Sequence, residues 1–133
     1  MKKVLFSIFL ITALGVVSFA QNTETYPVIV SFNSMCCGVP SNEPVMKLIQ
    51  RFKKQYKIKK VSVDSIGPMG REGEYYLAFR LKEFSKAQKI KFIQQLKKTA
   101  PGMNEQGTAE IKENETINKA DLSSRTTVTL IRL

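Results

Sequence analysis

The sequence predicts an α+β fold in a single domain, and three observations carry the prediction. Two segments place apolar residues at helical spacing, two others are apolar runs that read as strands covered on both faces, and the strand and helix signals interleave along 133 residues. Domains run to roughly 100–200 residues, so a sequence of this length holds one unit and not two. The composition also excludes much chemistry. With no His anywhere in the sequence, neither a Ser/His/Asp nor a Cys/His nucleophile pair can form and no His-ligated zinc can be held, so the expected protein is non-enzymatic.

Residues 1–20 have the order of a secretory signal peptide: Lys2-Lys3, an apolar run from Val4 to Val17, then Ser18-Phe19-Ala20 with small residues three and one before the expected cut. The run falls short of the roughly 20 residues that span a bilayer, which favours a leader over an anchor. Cleavage after Ala20 would release a soluble exported protein, periplasmic or secreted, with one domain over residues 21–133 and no transmembrane segment. The formal net charge is +10, of which Lys2 and Lys3 leave with the leader. Export turns the remaining positive charge toward an anionic envelope surface or an envelope protein as partner, and away from nucleic acid. Solubility alone is the bland reading of the same charge.

Tyr26-Pro27 leads into Val28-Ile29-Val30-Ser31-Phe32, a β-branched run with little alternation that predicts a central strand. Asn33 to Pro40 reads as a loop, and Ser41 or Asn42 caps a helix with Pro44 in its first turn, where a missing N–H costs nothing. Val45, Leu48, Ile49, Phe52 and Tyr56 stack along one face of that helix at steps of three and four. Val61 and Val63 alternate with Ser62 and Asp64 in a second strand, and Gly67 to Gly73 forms a long hairpin turn. Tyr75 to Leu81 predicts a third strand with Tyr75, Leu77, Phe79 and Leu81 on one face. Ser85-Lys86-Ala87-Gln88 is a capping box opening a second helix, with Ala87, Ile90, Ile93 and Leu96 expected inward and Pro101-Gly102 as its stop. The polar stretch from Met103 to Arg125 holds one short strand candidate, Thr108 to Lys112, and Thr126 to Leu133 makes a stronger one.

The order strand, helix, strand, strand, helix, strand is that of a ferredoxin-like βαββαβ sandwich, with an antiparallel sheet and two helices on one face. That topology puts the first and third strands in the centre, and these are the two most apolar. The core is expected over about residues 26–112, with a C-terminal extension over about 113–133 that would add a fifth strand.

The chemically unusual feature is Cys36-Cys37, the only thiols in the sequence, flanked by Met35 and Gly38 in the first loop. A disulfide staple stabilises by closing a long loop, and adjacent residues close almost none. Their Cα atoms, about 3.8 Å apart across a trans peptide, also lie below the usual span of roughly 4.4 Å or more. Three readings stay open: a soft-metal chelate, in which Met35, Cys36 and Cys37 would hold Cu(I) or another soft ion; a redox or intermolecular thiol pair; and two small buried side chains with no chemistry. At these residues the sequence resembles heavy-metal-associated domains, which share the ferredoxin-like topology and bind soft ions in the same loop through Met-x-Cys-x-x-Cys. Met35 and Cys37 match that motif's Met and first Cys, while Pro40 stands where its second Cys falls. The resemblance implies copper-type binding, with Cys36 replacing the missing ligand.

Lys47, Arg51 and Lys54 form a stripe on the first helix, and Lys86, Lys89, Lys97 and Lys98 decorate the second. Such a run is commonly a solvated face; as a site it would suit an anionic surface. A rival to metal binding is therefore an interaction module using an open sheet face or these basic helices. Tyr75, Tyr76 and Phe79 do not follow the pattern of sheet aromatics in RNA binders. Glu72 and Glu74 lack a visible cleft for paired-carboxylate catalysis, and Asn114-Glu115-Thr116 fits a glycosylation acceptor.

Overall fold

A computed structural model describes residues 22–100 and 106–133. The expected leader and the Pro101-Gly102 helix stop lie outside these residues. The elements are β1 (Thr23–Ser34), α1 (Glu43–Tyr56), β2 (Ser62–Gly67), β3 (Tyr75–Phe79), α2 (Lys86–Thr99), β4 (Gly107–Asn118) and β5 (Thr127–Arg132), with a 3₁₀ turn at Lys119–Asp121. They form a five-stranded sheet of order β4-β1-β3-β2-β5, every neighbouring pair antiparallel. The two strands expected in the centre, β1 and β3, are inside the sheet, and the C-terminal segment does add a fifth strand against β2.

The alternation of side chains divides the sheet's two faces. Val28, Val30, Phe32, Val63, Leu77 and Phe79 point to one side and pack with Val45, Leu48, Ile49 and Phe52 of α1 and Phe92 and Leu96 of α2, so both helices cover the same face. Phe92 sits at the hub of this layer, its ring edge-on to Phe52, Phe79 and Phe84 at centroid distances of 5.1, 5.4 and 5.2 Å, a geometry aromatic quadrupoles favour. The expected inward stripe of α1 is the observed one. That of α2 is observed only in part: Leu96 is buried and Ile93 packs against the core, but Ala87 is exposed, Ile90 is 52% exposed, and the other buried position is Phe92. At 100° per residue a step of three falls 60° short of a full turn, so Ala87 and Leu96 lie on opposite sides of the helix, whereas Phe92, Leu96 and the buried Ala100 follow steps of four.

The segment beyond residue 112 also departs from expectation. The short strand foreseen at Thr108 to Lys112 is part of a twelve-residue strand that runs the length of β1, from Gly107 opposite Ser34 to Asn118 opposite Thr23. The sheet therefore does not end at residue 112. Gly107 is required where β4 starts, because a Cβ there would collide with the Asn33 carbonyl. Near the other end, Tyr26↔Glu115 and Val28↔Glu113 set Asn114, in the left-handed region at φ 52°, opposite Pro27. Alternation breaks there, so that Tyr26 and Ile29, three apart, share one face.

β4 and β5 are the two edges of the sheet, so residues 119–126 must traverse it. They leave from the Thr23 end of β1 and arrive at the Gly67 end of β2. The strap is pinned by Lys119 N–H donating to Asn22 O (2.7 Å) at one end and Thr126 Oγ1 donating to Pro68 O (2.8 Å) at the other. Between them, Leu122 packs with Tyr26, Ile29, Ile66, Ala78 and Ile117 on the face away from the helices. The sheet face expected to be open is thus crossed by the protein's own backbone.

Candidate functional site

The loop between β1 and α1 brings Met35, Cys36 and Cys37 to the surface. All three are exposed, Met35 at 76%, which removes the reading of the cysteines as buried small hydrophobes. Cys36 and Cys37 are joined in a disulfide across a Cα separation of 3.8 Å. Gly38, at φ 112°, turns the backbone after them in a conformation that other residues rarely adopt, and its N–H donates to Ser34 Oγ (3.3 Å). Ser41 Oγ accepts the Glu43 N–H (3.2 Å), and Asn42 is the N-cap of α1 without a side-chain cap bond. Among the described residues no three His, Cys, Asp or Glu side chains gather where they could hold a metal ion.

A second set of residues, not foreseen as a group, lies on the strap side of the sheet. Asp64, only 1% exposed, accepts from Tyr26 Oη (2.5 Å) and from Arg80 Nη2 (2.6 Å), and Arg80 also forks onto Glu24, which Lys119 Nζ approaches at 3.4 Å. The Arg80 guanidinium stands 5.9 Å over the Tyr26 ring. Burial, then the hydrogen bond and charge of Asp64, drive the Tyr26 phenol far above its ordinary range, so it stays a neutral donor. Burial alone would lower the Arg80 pKa, but Asp64 and Glu24 outweigh it and hold the guanidinium charged. Every charge here has a partner, and the cluster is a closed structural network rather than a reactive one. The signal was present in the sequence: Asp64 and Arg80 each follow an inward residue, Val63 or Phe79, and must therefore share the other face.

The helical layer is organised in the opposite way. Over residues 22–133, α1 and α2 carry nine Lys and Arg against one acidic residue, Glu43, whereas all remaining positions carry ten of each sign. The whole excess charge of the domain therefore lies on the two helices. Lys47 pairs with Glu43 (2.7 Å), drawing the exposed Glu43 carboxyl below its ordinary value, and Lys97 pairs with Glu113. The other seven cations have no ion pair among the described residues. The expected stripe of Lys47, Arg51 and Lys54 is part of this layer, as are Lys86, Lys89, Lys97 and Lys98. Two open depressions run along the seam between the helices: Glu43, Pro44, Lys47, Gln50, Arg51 and Thr99 line one, and Leu48, Arg51, Gln55, Gln95, Lys98 and Thr99 line the other. Arg51 and Thr99 belong to both.

Glu72 and Glu74 stay in the β2–β3 loop, where a Glu74 carboxylate oxygen accepts the Glu72 N–H (3.1 Å), a local turn contact. Tyr75 stacks on Phe32 at 4.7 Å within the helix-side core, and Tyr76 lies under Lys112 on the other face, so the β3 aromatics form no stacking platform. No protein-family model, no curated protein and no solved structure matches this sequence. No helix among the described residues is long and apolar enough to cross a membrane. Fold and surface together define a small α+β protein with one electrically polarised face.

Proposed function

We propose that the protein is an exported, non-enzymatic binding module on a ferredoxin-like frame, which docks on an anionic lipid surface through its α1–α2 layer. The frame is supported by β3 lying between β1 and β2, and by β1 lying between β3 and β4, the interleaving of two split βαβ units. The docking reading is carried by one observation, the confinement of all excess positive charge to the two helices on one side of the sheet. Eight of the nine helical cations are Lys. Protein interfaces are depleted in Lys and favour Arg and aromatic anchors, whereas a sheet of compact, hydrated point charges suits the diffuse field of anionic headgroups. Each Lys near such a surface contributes about 1 kcal/mol. Purified protein should therefore sediment with phosphatidylglycerol-containing vesicles at low salt, fail to sediment with phosphatidylcholine alone, and lose binding steeply as NaCl is raised. Salt-independent binding, or equal binding to neutral vesicles, overturns the reading.

The exposure of Met35, Cys36 and Cys37 favours a second reading, that this loop holds Cu(I) or a similar soft ion once the disulfide is reduced. Reduction of the disulfide, followed by removal of the reductant, should unmask two thiols and one Cu(I) site per molecule. Undiminished Cu(I) affinity in a Cys36→Ser/Cys37→Ser variant sinks it.

A further inference from the structure

The cations of the helical layer are not equivalent. Arg51 is the only arginine in either helix, and it lines both depressions of the α1–α2 seam, with Lys47 on one side and Lys98 on the other. Gln50, Gln55 and Gln95 add amide donors to the same walls. Lys47 is engaged by Glu43 at 2.7 Å, but Arg51 and Lys98 have no ion pair among the described residues. Lysines attract a negative surface without direction. A guanidinium presents its N–H groups as a planar fork that matches the oxygens of a phosphate, so the one arginine supplies the directional contact the lysines lack.

We infer that the α1–α2 seam is the seat of a phosphomonoester headgroup, with Arg51 forked onto its oxygens and Lys98 supplying the second positive charge. The monoester is favoured over a diester because it carries close to two charges at neutral pH, which the seam's two unpaired cations can balance, with no unpaired carboxylate lining it among the described residues. A lipid headgroup is favoured over free phosphate because the depressions, about 450 and 310 Å³, have the size of ligand pockets rather than of an ion site, and they open onto the layer that faces the membrane. This inference rests on the docking reading above and adds to it a headgroup preference.

The test uses protein purified from cells expressing the whole sequence, with phosphatidylcholine vesicles carrying either phosphatidic acid or phosphatidylglycerol, adjusted to equal zeta potential. Wild type should bind the phosphatidic acid vesicles about fivefold or more tightly. Arg51→Lys keeps the charge and removes the fork, so it should lose that preference while still binding phosphatidylglycerol. Lys54→Gln, which removes one charge away from the seam, should weaken both by a similar factor and keep the preference. Thermal melts superimposing on wild type show that each variant is folded. Binding to both vesicles without preference, or a preference that survives in Arg51→Lys, overturns the seat while leaving the docking reading intact. Failure to bind either vesicle overturns both. Arg51-dependent saturation by inorganic phosphate without a phosphatidic acid preference would assign the seam to a free anion and overturn the headgroup.

Discussion

The two faces of the sheet solve the placement of charge in opposite ways. On the helix side the sheet is sealed by large apolar side chains, and the cations stand on the outer surface of the helices, seven of nine without an ion pair among the described residues. On the strap side the apolar cluster is small, and four charged side chains close to the strands, Glu24, Asp64, Arg80 and Lys119, are paired with one another. Charges that satisfy one another hold the fold and are unavailable to a partner; unpaired ones on a solid core contribute little to stability and remain free to bind.

The contrast breaks first in the helix-side core. Phe92→Ala removes the hub of the aromatic layer and should cost about 3–5 kcal/mol in urea melts, while Ile90→Ala, two positions away and half exposed, should stay within about 0.5. Comparable losses at both sites would invalidate the helical phase given above. On the strap side, Arg80→Met leaves the buried Asp64 carboxylate without its cation and should cost about 2–4 kcal/mol. Adding Asp64→Leu should return part of that loss, since the uncompensated charge is then gone; an additive loss would show that the pair is not coupled.

Leu122→Ala, on the strap, should cost about 1–2 kcal/mol because the residue is half-buried against a small cluster. The strap side should also respond to alkali. Tyr26 is raised in the folded state, so its contribution is complete below the ordinary tyrosine range and fades above it: beyond about pH 10 the unfolded phenol ionises while the folded one cannot, and stability falls by up to about 1.4 kcal/mol per pH unit. Tyr75, also raised by burial, adds a parallel decline. The difference between wild type and Tyr26→Phe isolates Tyr26, and identical slopes from pH 9 to 11 would refute its role. The smallest effect belongs to the cysteines. Their disulfide joins neighbours and closes no loop, so Cys36→Ser/Cys37→Ser should move the urea midpoint by no more than about 0.5 kcal/mol equivalent.

What the sequence determined by itself was local or periodic. The β-branched run at Val28 to Phe32, the α1 stripe and the Ser85 capping box are fixed by neighbours within a few residues, and each forms where the pattern places it. The vicinal cysteines and the lysine-rich helices were legible as candidates for the same reason. Three features needed the tertiary structure. The phase of α2 depends on which of several apolar spacings finds a cavity, and the space between Phe52, Phe79 and Phe84 selects Phe92 over Ile90. The length of β4 is set by β1, because a polar segment such as residues 113–118 becomes a strand only when a long partner offers its backbone groups. The ionic network joins Glu24, Asp64 and Arg80, which lie far apart in sequence, and Arg51 becomes distinctive only once Lys98 and Thr99 of α2 stand beside it. Sequence separation conceals such groupings, since no periodicity links residues that meet only when the sheet is assembled.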